Sequence, residues 1–120
     1  MKLVPFLLLA IAAPAAADVS VIDNNKTIAV DCAKDPKVDL IGNGITLTMT
    51  GTCQKVSVTG NNEHVTGSAT TVFVAGNDNT IDVGTAVTIT TAGNNNTVTW
   101  KTGKPTISNP GKGNKVSQAK

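Results

Sequence analysis

The sequence predicts an all-β fold, a small parallel β-solenoid of about six short two-strand rungs. A Gly- and Asn-rich turn recurs at nearly fixed spacing, short runs alternating apolar and other residues flank each turn, and Thr and Val dominate while helix formers are scarce. The turns read "VSVIDNN" from Val19, "VDLIGNG" from Val38, "VSVTGNN" from Val56, "VFVAGND" from Val72, "TITTAGNN" from Thr88 and a worn "ISNPGKG" from Ile107. Their turn positions, Asp23, Gly42, Gly60, Gly76, Gly93 and Gly111, are 19, 18, 16, 17 and 18 residues apart. A second short run follows each: "TIAVDC", "ITLTMT", "HVTG", "TIDVG", "TVTW" and "KVSQ". One period thus holds two strands and two bends. A lone pair of such strands could be a hairpin, but six pairs at one period read as stacked rungs, each burying a stripe it could not bury alone. An antiparallel meander or β-sandwich is the alternative, since short strands with regular Asn and Gly turns also build those folds.

Residues 1–17, "MKLVPFLLLAIAAPAAA", precede the repeats and have one charge at Lys2, an apolar run and then small residues. That is the pattern of a secretory signal peptide, too short for a membrane span. Cleavage after Ala17 leaves one domain, residues 18–120, in the periplasm or outside the cell. No cysteine sits at the junction, so a lipid-anchored form is not expected, and no transmembrane segment follows. Without Lys2, nine lysines stand against eight acids and there is no arginine. That balance argues against nucleic acid, nucleotide and phosphosugar partners, which draw on basic surface and the guanidinium fork.

The first two rungs carry the only cysteines, Cys32 and Cys53. Cys32 lies nine residues after Asp23 and Cys53 eleven after Gly42, nearly equivalent places on successive rungs. Strands stack about 4.8 Å apart, within a disulfide's reach, so one disulfide is expected in an exported chain. Cysteines facing each other across a sandwich could bond as well. Between them, "KDPKVD", with Asp35 and Asp39 flanking Lys37, reads as a solvated excursion between rungs.

In the middle rungs, alternation puts Val56 and Val58, Val72 and Val74, Ile81 and Val83, and Val98 and Trp100 inside, with Ser57, Phe73, Asp82 and Thr99 outside. Phe73 is therefore a candidate surface contact for a sugar or protein, unless a terminal segment covers it. Asn43, Asn61, Asn77 and Asn94 each follow a turn glycine, and the pairs Gly60–Asn61, Gly76–Asn77 and Gly93–Asn94 are expected to build a structural turn ladder. Asparagine tolerates left-handed backbone, and its amide can bond the copies above and below. Asn79, Asn96 and Asn114 suggest a second column, interrupted at Glu63. Glu63 and His64 sit at a bend and read as surface residues.

The alternatives in chemistry are thinly signalled. Asp78 and Asp82 offer hard oxygen ligands for calcium, yet neither has a counterpart in "GNNNTVTW", whereas calcium β-rolls repeat an aspartate in every unit. No metal or other cofactor is expected. An outward series Asp31, Thr48, Thr66, Asp82, Thr99, Ser117 is too irregular for an ice-matching face. A carbohydrate-processing enzyme would need paired carboxylates or a basic residue in a groove; the acids here are scattered, and no nucleophile elbow or metal-spaced His or Cys pair is present. Residues 101–120 hold five lysines and no acid. They read as a cap that blunts an open solenoid end.

The units "VSVTGNNEHV", "VFVAGNDNTI" and "ITTAGNNNTV", together with a signal sequence and the cysteines in "DCAK" and "GTCQKV", resemble the bacterial family catalogued as domain of unknown function 3060. The resemblance covers most of the chain after residue 17. It implies an exported β-rich domain with no established activity, so no catalytic or binding residue is carried over from it. The expected role is a non-enzymatic binding or structural module of the cell envelope, with a glycan or protein as partner. A calcium-binding or carbohydrate-processing protein is the alternative.

Overall fold

The computed structural model describes residues 18–119; the expected signal peptide and Lys120 lie outside the described residues. Ten strands follow one another: β1 (Asp18–Asn24), β2 (Thr27–Asp31), β3 (Lys37–Asn43), β4 (Thr46–Asn61), β5 (His64–Asn77), β6 (Thr80–Thr85), β7 (Thr88–Asn94), β8 (Thr97–Thr102), β9 (Thr106–Ser108) and β10 (Lys115–Gln118). Every strand pairing is parallel. That excludes the antiparallel alternative and leaves a β-solenoid of six rungs.

One face of the coil stacks β1, β3, the second half of β4, the second half of β5, β7 and β9. The other stacks β2, the first halves of β4 and β5, then β6, β8 and β10. Because side chains alternate along a strand, each face sends every second residue inward. In-register stacking turns these residues into columns. Val19, Val38, Val56, Val72, Ile89 and Ile107 form one, and Ile28, Leu47, Val65, Ile81, Val98 and Val116 form the column on the other face. The middle members are fully buried, whereas Val19, Ile28 and Val116 at the two ends are only partly covered. Each rung's apolar stripe is thus completed by its neighbours. Trp100 packs against this core at the level of Val83 and donates its indole N–H to Gly103 O at 3.2 Å.

The uneven period has a local cause. Thr48 pairs with Thr66 but Thr52 pairs with Ser68, so Met49–Gly51 face a single residue, Gly67, across a bulge. Gly51 turns there with a φ of 74°. The second rung is longer than the third for this reason. Just beyond the bulge, Cys53 stacks on Ala69 and is bonded to Cys32, with Cα atoms 4.8 Å apart and both residues buried.

Two sequence expectations change in this region. The segment "KDPKVD" is not an excursion as a whole: Lys37 opens β3 and Asp39 lies within it, paired with Ser20 and Ser57. Only the short turn from Cys32 to Pro36 leaves the strands, because Val38 and Leu40 must reach the core. The outward series on the second face begins at Ala29 rather than Asp31, since Thr27 aligns with Thr46 and Asp31 with Thr50. At the other end, residues 106–118 form the sixth rung, so most of the lysine-rich segment is part of the coil.

Candidate functional site

Two features stand out: an asparagine-lined corner that holds the rungs together, and an outward face that could meet a partner.

The corner begins with backbone. Gly42, Gly60, Gly76 and Gly93 stack in one column with φ of 154°, 140°, 129° and 103°. A Cβ on any of Gly60, Gly76 or Gly93 would collide with the carbonyl oxygen of the glycine one rung earlier. Glycine is therefore required both by torsion and by close stacking. Two residues on, the chain turns through the left-handed region at Asn25, Gly44, Asn62, Asp78, Asn95 and Gly113, with φ between 55° and 70°. Asp78 belongs to this series of bends.

Between those positions runs an exposed amide ladder. Asn43 Nδ2 donates to Asn24 Oδ1 at 3.3 Å, Asn61 to Asn43 at 3.0 Å, Asn77 to Asn61 at 3.1 Å and Asn94 to Asn77 at 3.2 Å. A second column lies inside. Asn79 and Asn96 are 1 % and 0 % exposed, and each side chain serves the rung before it twice. Their Oδ1 atoms accept from the backbone N–H of Glu63 and Asn79 at 2.9 and 3.0 Å. Their Nδ2 groups donate to Gly60 O and Gly76 O, both at 3.0 Å. Asn114 continues the pattern toward Asn96 N–H and Gly93 O. These amides occupy a core position because they satisfy backbone groups that the tight glycine corner leaves unpaired.

The same column holds Glu63, and here the surface reading is corrected. Glu63 is 1 % exposed, while His64 beside it is exposed. The cause is its register: it stacks between fully buried Ile45 and Asn79, on the inward side of the corner. Neither carboxyl oxygen has a hydrogen-bond partner, and burial pushes the group up to about 7. Ile45 one rung earlier was the available clue, since an apolar residue in the column marks it as inward-facing.

The outward face carries Ser20, Asp39, Ser57, Phe73, Thr90 and Ser108 in one stacked column. Phe73 is partly buried between Ser57 and Thr90. An open hollow of about 340 Å³ lies at the N-terminal end of the same face, lined by residues that include Asp18, Ser20, Lys37, Asp39, Lys55 and Ser57. It adjoins Phe73 through Ser57. Two neighbouring columns, one with Asp18, Lys37 and Lys55 and the next with Ser20, Asp39, Ser57 and Phe73, thus bring acids, amines and hydroxyls beside an aromatic ring.

Asp82 lies on the opposite face, where Thr99 Oγ1 donates to its Oδ1 at 3.0 Å. Among the described residues no group of three His, Cys, Asp or Glu side chains is placed to hold a metal ion. No helix among them is long and apolar enough to cross a membrane.

The family described as "Protein of unknown function (DUF3060)" has a model that matches residues 61–113 of this chain. No curated protein and no solved structure matches the chain. The matched segment contains Phe73 and the inner asparagines Asn79 and Asn96, begins after both disulfide cysteines and stops just before Asn114.

Proposed function

We propose that the chain is an exported, non-enzymatic module of the bacterial cell envelope that binds an extended glycan along its Phe73 face. The observation that supports this reading is the continuity of the hollow with the Phe73 column. Aromatic rings stack on the apolar faces of sugars, and carboxylate, ammonium and hydroxyl groups bond their hydroxyls. Rungs about 4.8 Å apart form a ruler that suits a linear polymer better than a compact metabolite. The secretory pattern of residues 1–17 supports export, and the disulfide is compatible with a periplasmic or extracellular location.

The test is co-sedimentation of the chain beginning at Asp18 with insoluble cell-wall glycan, comparing the wild type with Phe73→Ala. The expected result is retention of the wild type and a drop of about fivefold or more in the bound fraction of the variant, with melting temperature little changed. Wild-type protein that stays in the supernatant, or a variant that binds equally well, overturns the glycan reading.

A further inference from the structure

The inner corner column has one member that does not match the others. From the sixth rung down it reads Asn114, Asn96, Asn79, Glu63, Ile45 and Lys26. Each asparagine offers the preceding rung an acceptor for a backbone N–H and a donor for a glycine carbonyl. By the same repeat, the groups awaiting Glu63 are Ile45 N–H and Gly42 C=O. A carboxylate could accept from the first but could only repel the second. A carboxylic acid, with one carbonyl oxygen and one O–H, has the donor and acceptor pair of an amide.

We propose that Glu63 is held in the fold as a neutral carboxylic acid standing in for the missing asparagine. Neither oxygen has a partner in the structure, but the acid, unlike the carboxylate, can turn its O–H to Gly42 O and its C=O to Ile45 N–H, so the joint between the second and third rungs is tighter with the proton on and looser when it leaves. This is a pH-responsive joint within the coil, independent of whether the Phe73 face binds glycan.

The surroundings favour the neutral form. Ile45 faces Glu63 from the rung before and Asn79 from the rung after, and neither ionises. The charged or titratable groups nearest this corner are exposed: His64 in its own rung, Asp78 at the bend of the next, and the Asp23–Lys26 pair, 3.3 Å apart, two rungs away. None of them hydrogen-bonds either carboxyl oxygen. Burial alone raises the group from its ordinary 4.5 to about 7. With the folded value above the unfolded one, the full stabilisation is present below pH 4.5, is lost progressively as pH rises, and is gone above about 7.

Two measurements test the proposal together. In wild-type protein labelled at glutamate, the single Glu63 carboxyl carbon is followed by NMR titration; a midpoint near 7 is expected, and one near 4.5 overturns the proposal. In parallel, melting temperature is recorded from pH 5 to pH 8.5 for the wild type and for Glu63→Gln, which carries an amide donor and acceptor at every pH. The wild type should lose at least about 5 °C across that range, while the variant should stay nearly level and exceed it at pH 8.5. Equal losses in both proteins contradict the joint. If the variant does not fold, the carboxyl midpoint in the wild type decides alone.

Discussion

The first two rungs and the last three close the same corner with different chemistry. In the early rungs the inward corner positions are Lys26, exposed and paired with Asp23, and Ile45, fully buried; a disulfide between Cys32 and Cys53 joins these rungs at the other bend. In the later rungs Asn79, Asn96 and Asn114 fill the corner with amides that bond backbone across rungs, and Ala69 and Ala86 are buried at the opposite bend without a cross-link. The coil's geometry fixes the glycine column and the left-handed bends in both regions. What it leaves open is how the inside of the corner is filled. Apolar bulk with a covalent tie and an internal amide ladder are two solutions, and Glu63 sits where one gives way to the other.

The largest loss should follow Gly76→Ala in the ladder region. The substitution combines a φ of 129° with a collision against the Gly60 carbonyl. We expect about 3 kcal/mol or more of destabilisation, enough to prevent folding of a domain this small. Gly51→Ala in the disulfide region is the counterpart: φ is 74°, but the nearest atom to the added Cβ is Ala33 N at 3.7 Å. There the cost should be only about 1 kcal/mol. Urea unfolding of both variants compares the corners directly.

Removing the disulfide comes next. For a sequence separation of 21 residues, the Cys32→Ser and Cys53→Ser double variant should lose roughly 3 kcal/mol. Hydrogen exchange should show the effect as faster exchange at Leu40 and Leu47, with the amides of Val83 and Val98 changed less. Uniform loss of protection along the coil would mean that the two regions do not differ in their source of stability.

A smaller effect of opposite sign is expected at Thr91. It occupies the column of Val21, Leu40, Val58 and Val74, is fully buried, and its hydroxyl has no partner. Thr91→Val removes a buried unsatisfied group at nearly constant volume and should stabilise the protein by about 1 kcal/mol, seen as a higher melting temperature.

Much of this fold is legible in the sequence because parallel stacking copies a period directly into space. The glycine column and the exposed Asn24–Asn94 ladder are readable from residues at one offset, and the two cysteines from near-equivalence on successive rungs. The inner column is harder to read. Asparagine before a strand looks like a turn residue, and only the backbone shows that the position faces inward. Glu63 reads as surface for the same reason, since an isolated acid beside a histidine at a bend gives no sign of burial except through its alignment with Ile45. The bulge at Met49–Gly51 is visible only as an irregular spacing, and the hollow depends on how strand starts from three rungs align.

The comparison rests most directly on Asn94 and Asn96, two asparagines of one rung that differ in where they point. Asn94 lies in the exposed ladder, whereas Asn96 is buried and bonded to Asn79 N–H and Gly76 O. Urea unfolding of Asn94→Ala and Asn96→Ala beside the wild type is the decisive measurement. Asn96→Ala should lose about 2–3 kcal/mol because it strands a buried donor and acceptor, and Asn94→Ala no more than about 1 kcal/mol. Equal losses, or a larger loss at Asn94, would contradict the claim that the inner amide column holds the later rungs together.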